Sequence, residues 1–216
     1  MHNAVSNKML LRKRKWIVSS AVFAIALITG MALDTKVIVN GSAEDLRKQA
    51  FSPDQYAQNE YPATRDFVLS KAVDANTLYM EMQADKTTTV EKYGVKSGIG
   101  SIIPIKLNAV VESGRSGIYT LTVANIPNKQ TIRVQAGPAI NGTDLRDATG
   151  QIGFGQFKNQ IQYQDVGAAF NRVMKADILE NIDQNTLVGK QVSIVGVFRL
   201  INTKNWLITP VRFDVK

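Results

Sequence analysis

The sequence contains no cysteine and a single histidine, His2, at its extreme N-terminus. The first absence excludes disulfides, thiolate metal sites and cysteine nucleophiles, and leaves no thiol to carry a lipid. The second removes the commonest general base and the commonest metal ligand from the folded part of the chain. A Ser-His-Asp hydrolase and a histidine-based zinc enzyme are thereby excluded, and no catalytic, metal-binding or cofactor-binding residue is expected. Acidic charge is missing from the N-terminal tail, where Lys8, Arg12, Lys13, Arg14 and Lys15 stand with no carboxylate before position 16. Those five residues supply most of the net charge of +8. Beyond them the two signs are interspersed, as on an ordinary solvated surface, so no nucleic-acid partner is expected.

Trp16 to Leu33 (WIVSSAVFAIALITGMAL) carries no charge at all. Such a run is long enough to cross a bilayer as a helix, which takes roughly 17–25 apolar residues. The cations before it and Asp34 after it fit the positive-inside rule, with a cytoplasmic N-terminus and everything after Asp34 beyond the inner membrane. Gly30-Met31-Ala32 could serve as a cleavage site, but the length of the run favours a retained single-pass anchor. The expected organisation is a basic cytoplasmic tail (1–15), an anchor or signal segment (16–33), a helical segment (34–92) and a strand-rich domain (93–216).

Thr35 to Val39 reads as a short extended segment ended by the Asn40-Gly41 turn, and Ser42 as the cap of a helix running to Ala50. Ser52-Pro53-Asp54 repeats the helix-start signal, with a capping serine, proline at the first helical position and an acid in the first turn. Pro62 suits the start of a further helix. Phe67, Ala72, Leu78, Tyr79 and Met82 then recur at helical spacing, and Thr87-Thr88-Thr89 weakens helix propensity. A helical layer packed on the strand-rich domain explains these apolar residues better than a bare stalk, which would expose them.

From Ser97 the pattern turns to alternation, the sign of half-buried strands. Ile103, Ile105, Leu107, Ala109 and Val111 share one parity; Tyr119, Leu121 and Val123 form the next row, and Ile132, Val134 and Ala136 the third. Gln151 to Gly155 reads as a further short strand. A helix is expected from Asp165, as N-cap, to near Asn185, with Val166, Phe170, Val173, Met174, Ile178 and Ile182 as its apolar stripe. Two strands close the chain, with inward rows Val192, Ile194, Gly196, Phe198 and Leu207, Val211, Phe213, Val215. Pro210 places the last strand at an edge or a bulge. The expected fold is α+β: an OB-like five-stranded β-barrel with a helix between strands 3 and 4, preceded by a small helical segment and a transmembrane helix.

Between the third strand and that helix lies Gly137-Pro138-Ala139-Ile140-Asn141-Gly142-Thr143-Asp144-Leu145-Arg146-Asp147, a run rich in turn formers and charge. Together with GQIGF, FKNQIQYQDVGAAFN, LVGKQVSIVGVF and ITPV downstream, it resembles a bacterial family of predicted periplasmic lipoproteins, catalogued as a domain of unknown function. The resemblance runs from about residue 37 to the end. It implies an extracytoplasmic, membrane-attached domain encoded near sugar ABC-transporter genes, with transporter components or a periplasmic sugar-binding protein as partners and no established enzymatic activity. The family's lipobox cysteine is absent here.

A polar patch of Thr143, Asp144, Arg146, Asp147, Asn159, Gln160 and Tyr163 is the candidate ligand site, because sugars need planar hydrogen-bonding groups beside an aromatic face. The competing reading is that these residues pair with the loop's own backbone groups. Asp144 and Asp147 as the carboxylate pair of a glycosidase are disfavoured, since aspartates three apart in one loop are usually turn formers. Function reduces to two readings, a membrane-anchored periplasmic binding or interaction protein beside a carbohydrate importer, or a structural envelope protein with no small ligand.

Overall fold

The basic tail and the charge-free run form one continuous helix, α1 (Asn3–Asp34), in a computed structural model that describes residues 3–35 and 51–216. Trp16, Val22, Phe23, Ile25, Ile28 and Leu33 are all exposed. Apolar surface therefore surrounds this helix instead of lying along one stripe. Among the described residues no helix is long and apolar enough to cross a membrane, so the anchor rests on the sequence. The extended segment at 35–39 and the Ser42-capped helix fall on residues 36–50, outside the described residues.

A second compact unit spans Phe51–Lys216. It opens with α2 (Pro53–Lys71), where the Ser52 side chain accepts a hydrogen bond from the Gln55 amide and Pro53 occupies the first turn. Pro62 does not start a new helix as the sequence suggested; it sits inside α2. The two-residue strand β1 (Val73–Asp74) leads to α3 (Ala75–Ala84) and α4 (Lys86–Tyr93), capped by Asp74 and Asp85. The Asp85 carboxylate binds the amides of Thr87 and Thr88, which offsets the poor helix propensity of the threonine run. Ala57, Tyr61, Val68, Leu78 and Met82 are buried, with Phe67, Ala72 and Tyr79 half-buried against the same core. From Phe51 onward the helical segment is a packed layer.

The strands are β2 (Val95–Lys96), β3 (Ser101–Arg115), β4 (Ile118–Thr122), β5 (Thr131–Gln135), β6 (Gln191–Leu200) and β7 (Asn205–Val215). Hydrogen bonding runs β3-β4-β5-β7-β6 and returns to β3 through a further β3–β6 pairing, so five strands are linked in a ring. The long β3 makes this possible: Ser101 to Val110 pair with β6, and Val110 to Arg115 with β4. All ring pairings are antiparallel except β5 with β7. The inward rows on β3, β4 and β5 fall where alternation placed them. On β7 they do so only in part. Val195 faces Arg212 while Gly196 faces Pro210, so Val211 is an extra residue and the strand's parity inverts there. Trp206 and Ile208 point inward in place of Leu207, and Trp206 stacks on Phe198 with ring centroids 5.1 Å apart. Pro210 sits at this bulge, opposite Gly196.

Between β5 and β6 lies α6 (Gln160–Met174), packed on α2 and continued by a π-turn at Lys175–Leu179. It starts five residues before Asp165, because Asn159 takes the cap by accepting from the Gln162 amide at 2.9 Å. The short strand expected at Gln151–Gly155 is instead a coil ending in one 3-10 turn, Phe154–Gln156. The turn after β3 crosses the exit of β5 at a pair of glycines. A Cβ on Gly117 would lie 2.1 Å from Gly137 Cα, and Gly117 has φ +78°. Gly117→Ala should lower stability by about 3 kcal/mol, from overpacking and a left-handed alanine together. Gly153→Ala, with open space around its added methyl, should stay within about 0.5 kcal/mol of wild type in the same urea titration.

Candidate functional site

The crossover leaving β5 is held from three sides. Gln135 Nε2 donates to the Asn141 carbonyl and to Thr209 Oγ1, each at 3.0 Å, while its Oε1 accepts from the Asn141 amide at 2.9 Å. Asn171, buried on α6, donates to the Gly142 carbonyl at 2.9 Å and to that of Ile140 at 3.3 Å. Lys175 donates to the Pro138 carbonyl. The chain then forms α5 (Asp144–Asp147), a single turn. It lies against α6 at Gly167, where a Cβ would meet Thr143 Cγ2 at 2.8 Å.

Four charged side chains meet on this turn. Arg146 is 3% exposed; its Nε donates to Asp147 Oδ1 at 2.7 Å and its Nη1 to the Tyr163 carbonyl at 2.8 Å. Its guanidinium lies over the Tyr163 ring, 3.5 Å from the centroid. From β6, Arg199 reaches both acids, with Nε 3.0 Å from Asp144 Oδ1 and Nη2 2.7 Å from Asp147 Oδ2. Its Nη1 donates to the carbonyls of Ser97 and Ile99. Thr143 Oγ1 completes the shell of Asp147 by donating to Oδ2 at 2.9 Å. Two carboxylates and two guanidinium groups thus balance within one cluster.

The predicted patch is therefore brought together only in part. Thr143, Asp144, Arg146, Asp147 and Tyr163 converge, and each is engaged by another member or by backbone. Asn159 is the cap of α6, and Gln160 is an exposed residue of its first turn. Asp144 and Asp147 both accept hydrogen bonds from the same side chain, Arg199. The residue missed from sequence is Arg199, which hydrogen-bonds to Asp144 and Asp147 across more than fifty residues of chain. Its only sequence signal is a cation between the core residues Phe198 and Leu200.

The two acids titrate in opposite directions. Burial pushes the Asp144 carboxyl above its ordinary range despite the Arg199 charge beside it. Burial acts the same way on Asp147, but hydrogen bonds and charge from Arg146, with further bonds from Arg199 and Thr143, carry it below that range. A carboxyl lowered by folding stabilises the native state above its unfolded value, and that contribution is lost as pH falls through the folded value. A raised one has the reverse sign: its penalty is present once pH exceeds the folded value and is relieved by acid. In urea titrations over the acid range, Asp147→Asn should flatten the dependence of stability on pH, and Asp144→Asn should steepen it. Arg146→Ala should cost about 3–5 kcal/mol at neutral pH, as removing one partner of a buried ion pair does.

Residues 21–214 match the family described as "Predicted periplasmic lipoprotein (DUF2291)". No curated protein matches the chain. Among solved structures it is similar to an OB-fold protein from Thermotoga maritima MSB8, at 15% identity and TM-score 0.61, over 77% of this chain and 99% of that one. At such identity the likeness speaks to fold alone, and it agrees with the α+β architecture and the ring of five strands. The family description accords with the expected periplasmic location, while the cysteine that a lipoprotein modifies is absent from this sequence. The match spans nearly the whole length, and the chain belongs to this family of predicted periplasmic lipoproteins.

Proposed function

We propose that the protein is a membrane-anchored, non-catalytic periplasmic interaction module that works through contact with another macromolecule and binds no small ligand. The observation that carries this reading is the internal matching of the polar cluster: its acids, arginines and threonine hydroxyl satisfy one another and the crossover backbone, leaving little to recognise a sugar. The anchor is supported by the charge-free run Trp16–Leu33, by the cations before it and by the apolar circumference of α1. It would replace the lipid that the absent cysteine cannot carry. The family resemblance adds the finer form, an accessory to a carbohydrate ABC importer that contacts its permease or binding protein. The internal pairing also suits a structural envelope protein.

Two measurements test the topology and the absence of a ligand. A reporter fused after Lys216 should be active only in a periplasmic format; cytoplasmic activity would sink the topology. In thermal denaturation across a panel of sugars the transition should stay fixed, whereas a bound ligand at a hundred times its Kd would add about 2.7 kcal/mol. A shift of several degrees with one sugar, lost in a variant at Asp144, would return the cluster to ligand binding. Crosslinking in intact cells should trap a discrete protein partner, and trapping none would favour the structural envelope reading.

A further inference from the structure

Two exposed isoleucines lie beyond the same end of the β3–β6 ladder. The ladder between β3 and β6 ends at Ser101 opposite Leu200. Ile201 is the next residue beyond it on β6, and Ile99 lies two residues beyond it on the β3 side. Ile99 is 80% exposed and Ile201 69%. Ile99 occupies the tip of the tight β2–β3 turn, where Gly98 and Gly100 have φ +47° and +84° and the Ser97 amide bonds to the Gly100 carbonyl. Ile201 opens the β6–β7 turn. Arg199 joins the two loops, because it belongs to β6 and its Nη1 donates to the Ile99 carbonyl at 3.3 Å and to that of Ser97 at 3.0 Å.

The loops share their chemistry as well as their position. Each pairs its isoleucine with one exposed lysine, Lys96 in the first and Lys204 in the second. No aspartate or glutamate occurs from Lys92 to Val111 or from Gln184 to Phe213. The acids on the neighbouring α5 are matched by Arg146 and Arg199. The outward groups that remain are apolar tips framed by cations, on loops whose backbone is fixed from behind. That pattern fits an anionic lipid surface, where apolar side chains enter the headgroup boundary and lysines meet lipid charge.

We propose that the Ile99 and Ile201 loops dock on the outer leaflet of an anionic inner membrane and set the orientation of the unit Phe51–Lys216 against it. This rests on the anchor reading, and the two reinforce one another. A pair of isoleucines holds a free protein on lipid only weakly, because stable attachment takes two signals. The anchor is the second, since residues 36–50 can reach at most about 50 Å from it, which keeps the local concentration of bilayer high.

The cysteine-free chain allows a direct test with single nitroxide labels. The full chain is reconstituted into vesicles of equal parts phosphatidylglycerol and phosphatidylcholine, labelled in turn at Ile99→Cys, Ile201→Cys, Ile25→Cys within the anchor, and Lys129→Cys on the β4–β5 turn. Labels at 99 and 201 should collide preferentially with oxygen, as the label at 25 does, while the label at 129 collides with an aqueous nickel complex. Adding Lys96→Glu and Lys204→Glu together should return the labels at 99 and 201 to water. If position 25 reads lipid while 99 and 201 read water, the docking proposal is overturned and the anchor stands. If position 25 also reads water, the anchor reading falls and takes this proposal with it. Labels that are aqueous in vesicles yet immobilised by added inner-membrane proteins would assign the loops to a protein partner, against the proposal.

Discussion

Arg199 is the interaction on which the arrangement of this protein depends. A single guanidinium projecting from β6 contacts Asp144 and Asp147 on the crossover turn and the carbonyls of Ser97 and Ile99 on the turn before β3. Three segments far apart in the chain are thereby fixed at one end of the strand ring. Arg146 extends the cluster to α6 through the Tyr163 carbonyl and ring. Bringing four charges out of water is expensive unless each is matched, and here two acids meet two bases with hydrogen bonds in nearly every direction. The opposite titration of the two acids shows what that matching costs. Asp147, with donors from three residues, is favoured as a carboxylate, whereas Asp144, leaning on Arg199 alone, is not fully compensated.

The same internal matching bears on function. A recognition site needs polar groups left unmatched until the ligand arrives. In this cluster they are already engaged with one another and with backbone carbonyls. Among the features left outward are the apolar residues of α1 between Trp16 and Leu33 and the isoleucine-tipped turns beside Arg199. These suit contact with membranes and other macromolecules, in keeping with a family of predicted periplasmic lipoproteins. In this member the sequence has no cysteine to carry a lipid.

How much of this is legible in the sequence depends on range. Alternation along β3, β4 and β5 locates three strands and their inward faces, because period-two burial is written locally. The Ser52-Pro53 start is equally legible. The β7 row is legible only past the bulge: Val211 and Phe213 are inward as expected, but before it alternation points Leu207 inward instead of Trp206, because the bulge at Val211 inverts parity and only pairing with β6 reveals it. The start of α6 is misplaced because Asp165 reads as a good cap, whereas Asn159 takes that role by accepting from the Gln162 amide. Arg199 is invisible as a partner of Asp144 and Asp147, since nothing local marks a contact across more than fifty residues. The sequence therefore shows three of the four charged members of the cluster, its two acids and Arg146, with Thr143 and Tyr163 beside them, but not Arg199.

A double-mutant cycle between Asp147 and Arg199, read by urea denaturation of the full chain, tests this most directly. With Asp147→Asn, Arg199→Met and the double variant, a structural clamp predicts a coupling energy of about 2–3 kcal/mol, at the high end for residues in one buried network. A coupling near zero, with both single variants as stable as wild type, would show that the cluster does not hold the fold and would reopen it as a binding site.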